Sequence, residues 1–218
     1  MDKEKYKEFG IPVFLTPYRK NIMDLVIIKY NAGNIRSVQN ALSRLGMRAS
    51  VTDDAERIRA ADKVIFPGVG EASSAMKSLQ QGGLDQVIRE LKQPVLGICV
   101  GMQLLCTHSE ENDTECLGIV PVQVKKFQPG EALLKVPQVG WNRIYKLESP
   151  LFQDVDEGSF IYNVHSYYAE DSEYTIAQCF YGVDYAAAIR HENFYGVQFH
   201  TEKSAAIGDR IIKNFLEI

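Results

Sequence analysis

Apolar positions fall into short runs separated by polar, glycine-containing turns, and the rhythm of those runs changes half-way along the chain. Leu25-Val26-Ile27-Ile28 is an unbroken β-rich run, the kind buried on both faces of a parallel sheet. After the loop Tyr30–Asn34, residues Ile35, Val38, Leu42 and Leu45 recur at helical spacing, and Gly46 marks the stop. A short strand over Arg48 to Thr52 follows, then a helix capped by Asp53 or Asp54 that runs through Ile58. Val64-Ile65-Phe66 is the next buried strand. It leads into Pro67-Gly68-Val69-Gly70 and a helix beginning near Glu71. Pro94 to Ile98 makes a further strand, followed directly by a helix from about Gly101 to Cys106.

That alternation predicts an α/β fold, a parallel sheet with helices on both faces. Beyond Gly118 the pattern shortens into strands and turns: Val120 to Phe127, Asn142 to Lys146, Ser159 to Val164, Thr175 to Tyr181, Ala186 to Ile189 and Tyr195 to Phe199. This second half reads as more antiparallel. A last helix covers roughly Ser204 to Phe215, with Ile207, Ile211 and Phe215 on one face. No repeat or Gly/Ser linker divides the chain, so one domain is expected.

Composition adds exclusions. The 218 residues are 45% hydrophobic and 24% charged, which excludes a disordered, collagenous or disulfide-stapled chain. A net charge of −4 offers no basic excess for nucleic acid or an acidic membrane surface. No apolar run reaches the roughly 18 residues of a membrane span. Cys99, Cys106, Cys116 and Cys179 include no C-x-x-C pair, so free thiols in a reducing cytoplasm are expected, with no metal and no cofactor. At the N-terminus, Ile11 to Leu15 is too short for a signal-peptide core and contains Pro12.

The sharpest chemistry lies in Gly97-Ile98-Cys99-Val100-Gly101-Met102-Gln103. A buried strand ends at a cysteine, a helix starts straight after it, and glycines stand two residues to either side. This is a G-x-nucleophile-x-G elbow with cysteine in place of serine. The tight turn leaves no room for flanking side chains and pushes the central one into a cleft. The helix N-terminus behind it favours the thiolate. Of four histidines, His108 and His191 sit in polar, turn-like surroundings. His200 ends an apolar strand, and Glu202 two residues later can orient its imidazole, giving a triad of Cys99, His200 and Glu202. His165 is the rival base, and sequence order leaves both open. Oxyanion donors are sought in the backbone of Val100 and in the segment Pro67–Gly70.

These segments resemble the class I, triad-type glutamine amidotransferases: Gly97–Gln103 their nucleophile segment and His200-Thr201-Glu202 their His-x-Glu segment. More narrowly, they resemble the glutaminase subunits of imidazole glycerol phosphate synthase. That resemblance rests on Asn34–Val38, Pro67–Gly70, Gly140-Trp141-Asn142, Val164–Tyr167, Tyr195–His200 and Lys203-Ser204. The resemblance implies a class I amidotransferase fold over 23–218, with 1–22 an N-terminal extension, flexible or a start-site artefact. It implies an oxyanion hole from Val100, Val69 and Gly70, and glutamine contacts from Gln103, Ser166, Tyr167 and Gly68. It further implies that ammonia passes to a (β/α)8-barrel cyclase subunit, which converts PRFAR to imidazole glycerol phosphate and AICAR. Trp141, Tyr162, Lys203 and Asn34 would face that partner. Lys29-Tyr30-Asn31 departs from the family's Asp-Tyr-Gly, with Asn31 expected to keep the turn in left-handed backbone. Gln138-Val139 departs from its His-Met and Thr201 from its Pro. These departures leave the alternative of a paralogue feeding ammonia to another synthase; a silent regulatory subunit on the same fold is a further alternative, against which the intact Cys99, His200 and Glu202 argue. A nucleotide-binding reading fails, because no G-x-G-x-x-G follows the first strand.

Overall fold

The computed structural model describes residues 23–31, 33–130 and 134–218; the expected extension over 1–22 lies outside the described residues. The unbroken apolar runs become the centre of one sheet. They are β1 (Leu25–Ile28), β3 (Lys63–Gly68), β4 (Val95–Cys99) and β13 (Phe194–Val197), and every residue in them is buried. Between them run β2 (Ser50–Thr52) and helices α1 (Ile35–Arg44), α2 (Ala55–Ala60), α3 (Ala72–Gln81), α4 (Leu84–Glu90) and α5 (Val100–Leu105). Helix α1 buries Val38, Ala41 and Leu42. Asp54, not Asp53, caps α2, its carboxylate accepting from the amides of Glu56 and Arg57 at 2.9 and 3.0 Å. The helix expected from Glu71 breaks into two at Gly82-Gly83, where Gly83 takes φ 66°.

The second half supplies β5 (His108–Ser109), β6 (Thr114–Glu115), β7 (Gln123–Lys126), β8 (Gln138–Arg143), β9 (Phe160–His165), β10 (Tyr167–Ala169), β11 (Thr175–Phe180) and β12 (Asp184–His191). Helix α6 (Ala205–Glu217) closes the chain. In the sheet, β2-β1-β3-β4-β13 run parallel; then β12, β10 and β7 continue antiparallel, followed by β5 and β6, while β11 pairs with β12. The expectation of a parallel first half and a more antiparallel second half holds.

One feature of this order positions the site. Strand β13 comes last in sequence yet lies beside β4, with Val197 opposite Ile98. On the other side of β4, Gly68 of β3 stands opposite Cys99. Three strand ends therefore meet at the carboxyl end of the parallel strands, the usual place for ligands in such sheets.

Strands β8 and β9 stand apart as a two-stranded antiparallel ribbon. The strand expected over Asn142 to Lys146 is displaced to Gln138–Arg143. Its apolar residues Val139 and Trp141 point to the outer face.

Candidate active site

Cys99 ends β4 with φ 54° and ψ −112°, a strained conformation for a residue with a side chain. Such a residue costs about 1–3 kcal/mol and persists only where its neighbours over-determine it. Here the glycines do so. A Cβ on Gly101 would run into the carbonyl oxygen of Phe66. One on Gly97 would come within 2.9 Å of the Gly101 carbonyl. The elbow thus needs glycine at both positions, as its spacing suggested.

The β13–β4 register then carries His200 to the thiol. The His200 amide donates to the carbonyl of Tyr162 at 2.9 Å, and Ser204 Oγ donates to the His200 carbonyl at 2.7 Å. His200 Nδ1 donates to Glu202 Oε1 at 2.8 Å, with the two side chains only 4% and 0% exposed. That fixes the tautomer and leaves Nε2 for Cys99. Burial alone would lower the His200 pKa, but its hydrogen bonds to Cys99 and Glu202 reverse this and raise it to about 10. Burial pushes Glu202 up, yet its contacts with His200 hold the carboxyl below its ordinary range. The arrangement favours the imidazolium form of His200.

His165 is a different kind of residue. Its Nδ1 donates to the carbonyl of Tyr167 at 2.8 Å, and its Nε2 faces Asn163 and the Tyr185 hydroxyl. Burial drops its pKa to about 4, so it stays neutral and shapes the backbone of Ser166 and Tyr167.

A cavity of about 350 Å³ opens over Cys99. Val69 and Gly70 line one wall; Val100, Gln103, Ser166, Tyr167, His165 and His200 line others; Pro137, Val164 and Lys203 stand at it too. Gly68 departs from expectation. It does not line the cavity, and its lack of a side chain serves packing: a Cβ there would lie 2.6 Å from the Gly101 amide and 2.8 Å from the Tyr30 hydroxyl. That hydroxyl donates to the carbonyl of Pro67 at 2.8 Å, bracing the strand that leads to Val69.

Two residues of the site escaped the sequence reading. Glu111 lines the cavity and caps α3, accepting from the Ala72 amide at 2.7 Å. Burial and nearby Glu71 raise its pKa against that hydrogen bond. Gln198 is fully buried and donates to Cys99 Sγ at 3.8 Å. Gln103 Nε2 donates to Gln198 Oε1 and to the Tyr167 carbonyl, each at 2.9 Å, which leaves its own Oε1 as the free acceptor. A polar residue inside the apolar run Val197-Gln198-Phe199 needed partners, and that was the available signal for Gln198.

Of the residues expected to face a partner, Trp141 is 54% exposed and packs edge-on against Tyr162 at 5.7 Å between ring centroids. Lys203 is exposed. Asn34 instead turns its side chain inward, where its Nδ2 donates to Glu202 Oε1 at 2.5 Å. The left-handed backbone expected at Asn31 falls at Asn34, φ 76°. Lys29 forms an exposed pair with Asp53 at 3.3 Å. Among the described residues no group of three His, Cys, Asp or Glu could hold a metal ion, and no helix is long and apolar enough to cross a membrane.

The family model for class-I glutamine amidotransferases matches residues 26–218. The chain belongs to that family. The amidotransferase is 55% identical over 196 residues to the imidazole glycerol phosphate synthase subunit HisH of Bacteroides fragilis, covering 90% of this chain and 100% of that one. It is 50% identical to the HisH subunit of Bacteroides thetaiotaomicron with the same coverage. Its fold matches a crystal structure of a glutamine amidotransferase with a TM-score of 0.69 at 19% identity, covering 88% of this chain and 97% of that one. At that identity the likeness speaks for the fold alone.

Proposed function

We propose that this amidotransferase is the glutaminase subunit of an imidazole glycerol phosphate synthase. The observation that carries the chemistry is the buried Cys99–His200–Glu202 chain opening into one cavity beside the glycine-lined end of β3. The similarity to HisH subunits along their whole length supports the choice of acceptor.

In this reading glutamine enters with its α-ammonium toward Glu111 and its side-chain amide toward Gln103 Oε1 and the thiol. The Cys99 thiolate attacks the amide carbon. The oxyanion is held by the amides of Val100 and the Val69-Gly70 segment. The His200 imidazolium gives its proton to the leaving nitrogen, which departs as ammonia and leaves a γ-glutamyl thioester. His200, now neutral, takes a proton from water as that water attacks, and glutamate leaves with the thiolate restored. Ammonia passes to the cyclase barrel and reacts there with PRFAR, giving imidazole glycerol phosphate and AICAR. Channelling suits the chemistry, since near pH 7 free ammonia would be almost wholly protonated.

The outer face of the β8–β9 ribbon is where we place the barrel. Val139, Trp141, Tyr162, Phe160 and Val164 lie on one side of it, with Val139 61% and Phe160 49% exposed. The reducing cytoplasm fits a thiol catalyst of this kind.

Cys99→Ala, assembled with the cognate cyclase, tests the division of labour. Glutamine-dependent synthesis is expected to fall by about 10⁴-fold or more, while ammonia-dependent synthesis persists. Loss of both, or survival of the glutamine reaction, overturns the reading.

A further inference from the structure

We infer that Asn34 is a positioning residue for the triad: its side-chain amide clamps the Glu202 carboxylate against His200 and thereby fixes the imidazole that serves Cys99. The inference rests on the glutaminase reading for its substrate readout, but its geometry stands on the triad alone.

Asn34 holds the N-cap position of α1, where asparagine ordinarily turns its side-chain oxygen back onto the first helical amides. It makes no such cap here. Only its main-chain carbonyl serves the helix, accepting from Ser37 and Val38 at 3.1 and 3.2 Å. The side chain reaches instead across 168 positions of sequence to Glu202 Oε1, with its nitrogen 3.5 Å from His200 Nδ1. A conventional cap is forgone for a contact to the catalytic acid.

Glu202 needs that contact. Its Oε1 takes both donors, Asn34 and His200, while its Oε2 is buried with no hydrogen-bond partner among the described residues. A carboxylate held by His200 alone would pivot about that single bond. The second donor on the same oxygen sets its plane. The left-handed backbone of Asn34, φ 76° and ψ 2°, aims the amide inward and restricts the position to asparagine, aspartate or glycine. The titratable groups facing His200 are Cys99 from β4, Glu202 from its own turn and the neutral His165 from β9.

That short menu supplies the test. Asn34→Gly keeps the backbone and deletes the donor; Asn34→Asp keeps shape and backbone but offers a like charge to Glu202. In the complex with the cyclase, both are expected to lower kcat about 10- to 100-fold with KM within about twofold, as loss of a hydrogen bond to a charged group implies. In Asn34→Gly, with Glu202 free to swing away, the imidazolium loses support, so the alkaline limb of kcat/KM moves down by about one pH unit. Alkylation of Cys99 by iodoacetamide at neutral pH reads the triad without glutamine or partner, because burial pushes the other three thiols up. It should slow about tenfold in both variants. Wild-type rates and an unmoved limb in Asn34→Gly overturn the inference, and so does wild-type behaviour of Asn34→Asp. A wild-type chain that alkylates readily yet hydrolyses no glutamine beside the cyclase refutes the glutaminase reading; slower alkylation in the variants would still uphold the clamp.

Discussion

Two walls of the site are built on opposite principles. On the nucleophile wall, β3, β4 and α5 close without slack: Gly68, Gly97 and Gly101 each occupy a spot where one added carbon meets backbone. On the far wall, the β8–β9 ribbon leaves an apolar face to solvent, with Trp141 54% exposed. The first wall is complete within the chain. The second has its inner edge tied to the base and its outer face bare. The main chain of Tyr162 makes the link: its carbonyl accepts from the His200 amide, and its own amide donates to Ser204 Oγ. The same residue's ring lies beside Trp141 on the outer face. The nucleophile is thus set by internal packing, whereas the base is tethered to a strand whose other face is exposed.

The contrast breaks most readily at Gly101. Gly101→Ala drives a methyl into the Phe66 carbonyl and should cost about 3 kcal/mol or more of folding stability, read from denaturant unfolding. Tolerance within experimental error would show slack where we describe none. Trp141→Ala should do the reverse. It should leave the free chain's stability within about 0.5 kcal/mol yet weaken cyclase binding by about 2 kcal/mol, measured by titration calorimetry. Equal binding by wild type and variant would remove the ribbon as the docking face. The smallest effect concerns His200. Its pKa is raised in the folded chain to about 10, so its stabilising contribution is complete below its ordinary value near 6.5 and is lost as pH rises toward 10. Glu202, held low, contributes above the ordinary carboxylate range and loses that contribution in acid. Melting temperatures should therefore fall between pH 6.5 and 10 through this group, and His200→Gln should flatten that decline. An identical slope in the variant would sink the assignment.

How much of this could be read beforehand follows the same division. The nucleophile wall was legible because its constraints are local: an apolar run, a cysteine and two glycines sit within seven positions. The ribbon was misplaced by a few residues because alternation reveals two faces of a strand, not which of them is covered. Val139 and Trp141 are apolar and point outward, the inverse of the usual pattern. Strands β5 and β6 have two residues each, too few for any period to register. Glu111 was hidden in the polar stretch Ser109–Asp113, where a cavity carboxylate looks like any solvated one. The inward turn of Asn34 was illegible for another reason: its partner lies 168 positions away, and only the closed sheet brings them together.

The late arrival of β13 has a consequence for how the enzyme is born. Gln198 and Cys99 touch across 99 positions of sequence, and β4 lacks one of its two neighbours until the final segment is made. During translation the nucleophile leaves the ribosome before its base does, so a chain that has passed Cys99 but not reached His200 carries the cysteine without its base. The triad is complete only once β13, near the end of the polypeptide, slots into the middle of the sheet. Closing contacts that distant is slow. The order of strands therefore makes completion of the triad depend on the last strand of the chain.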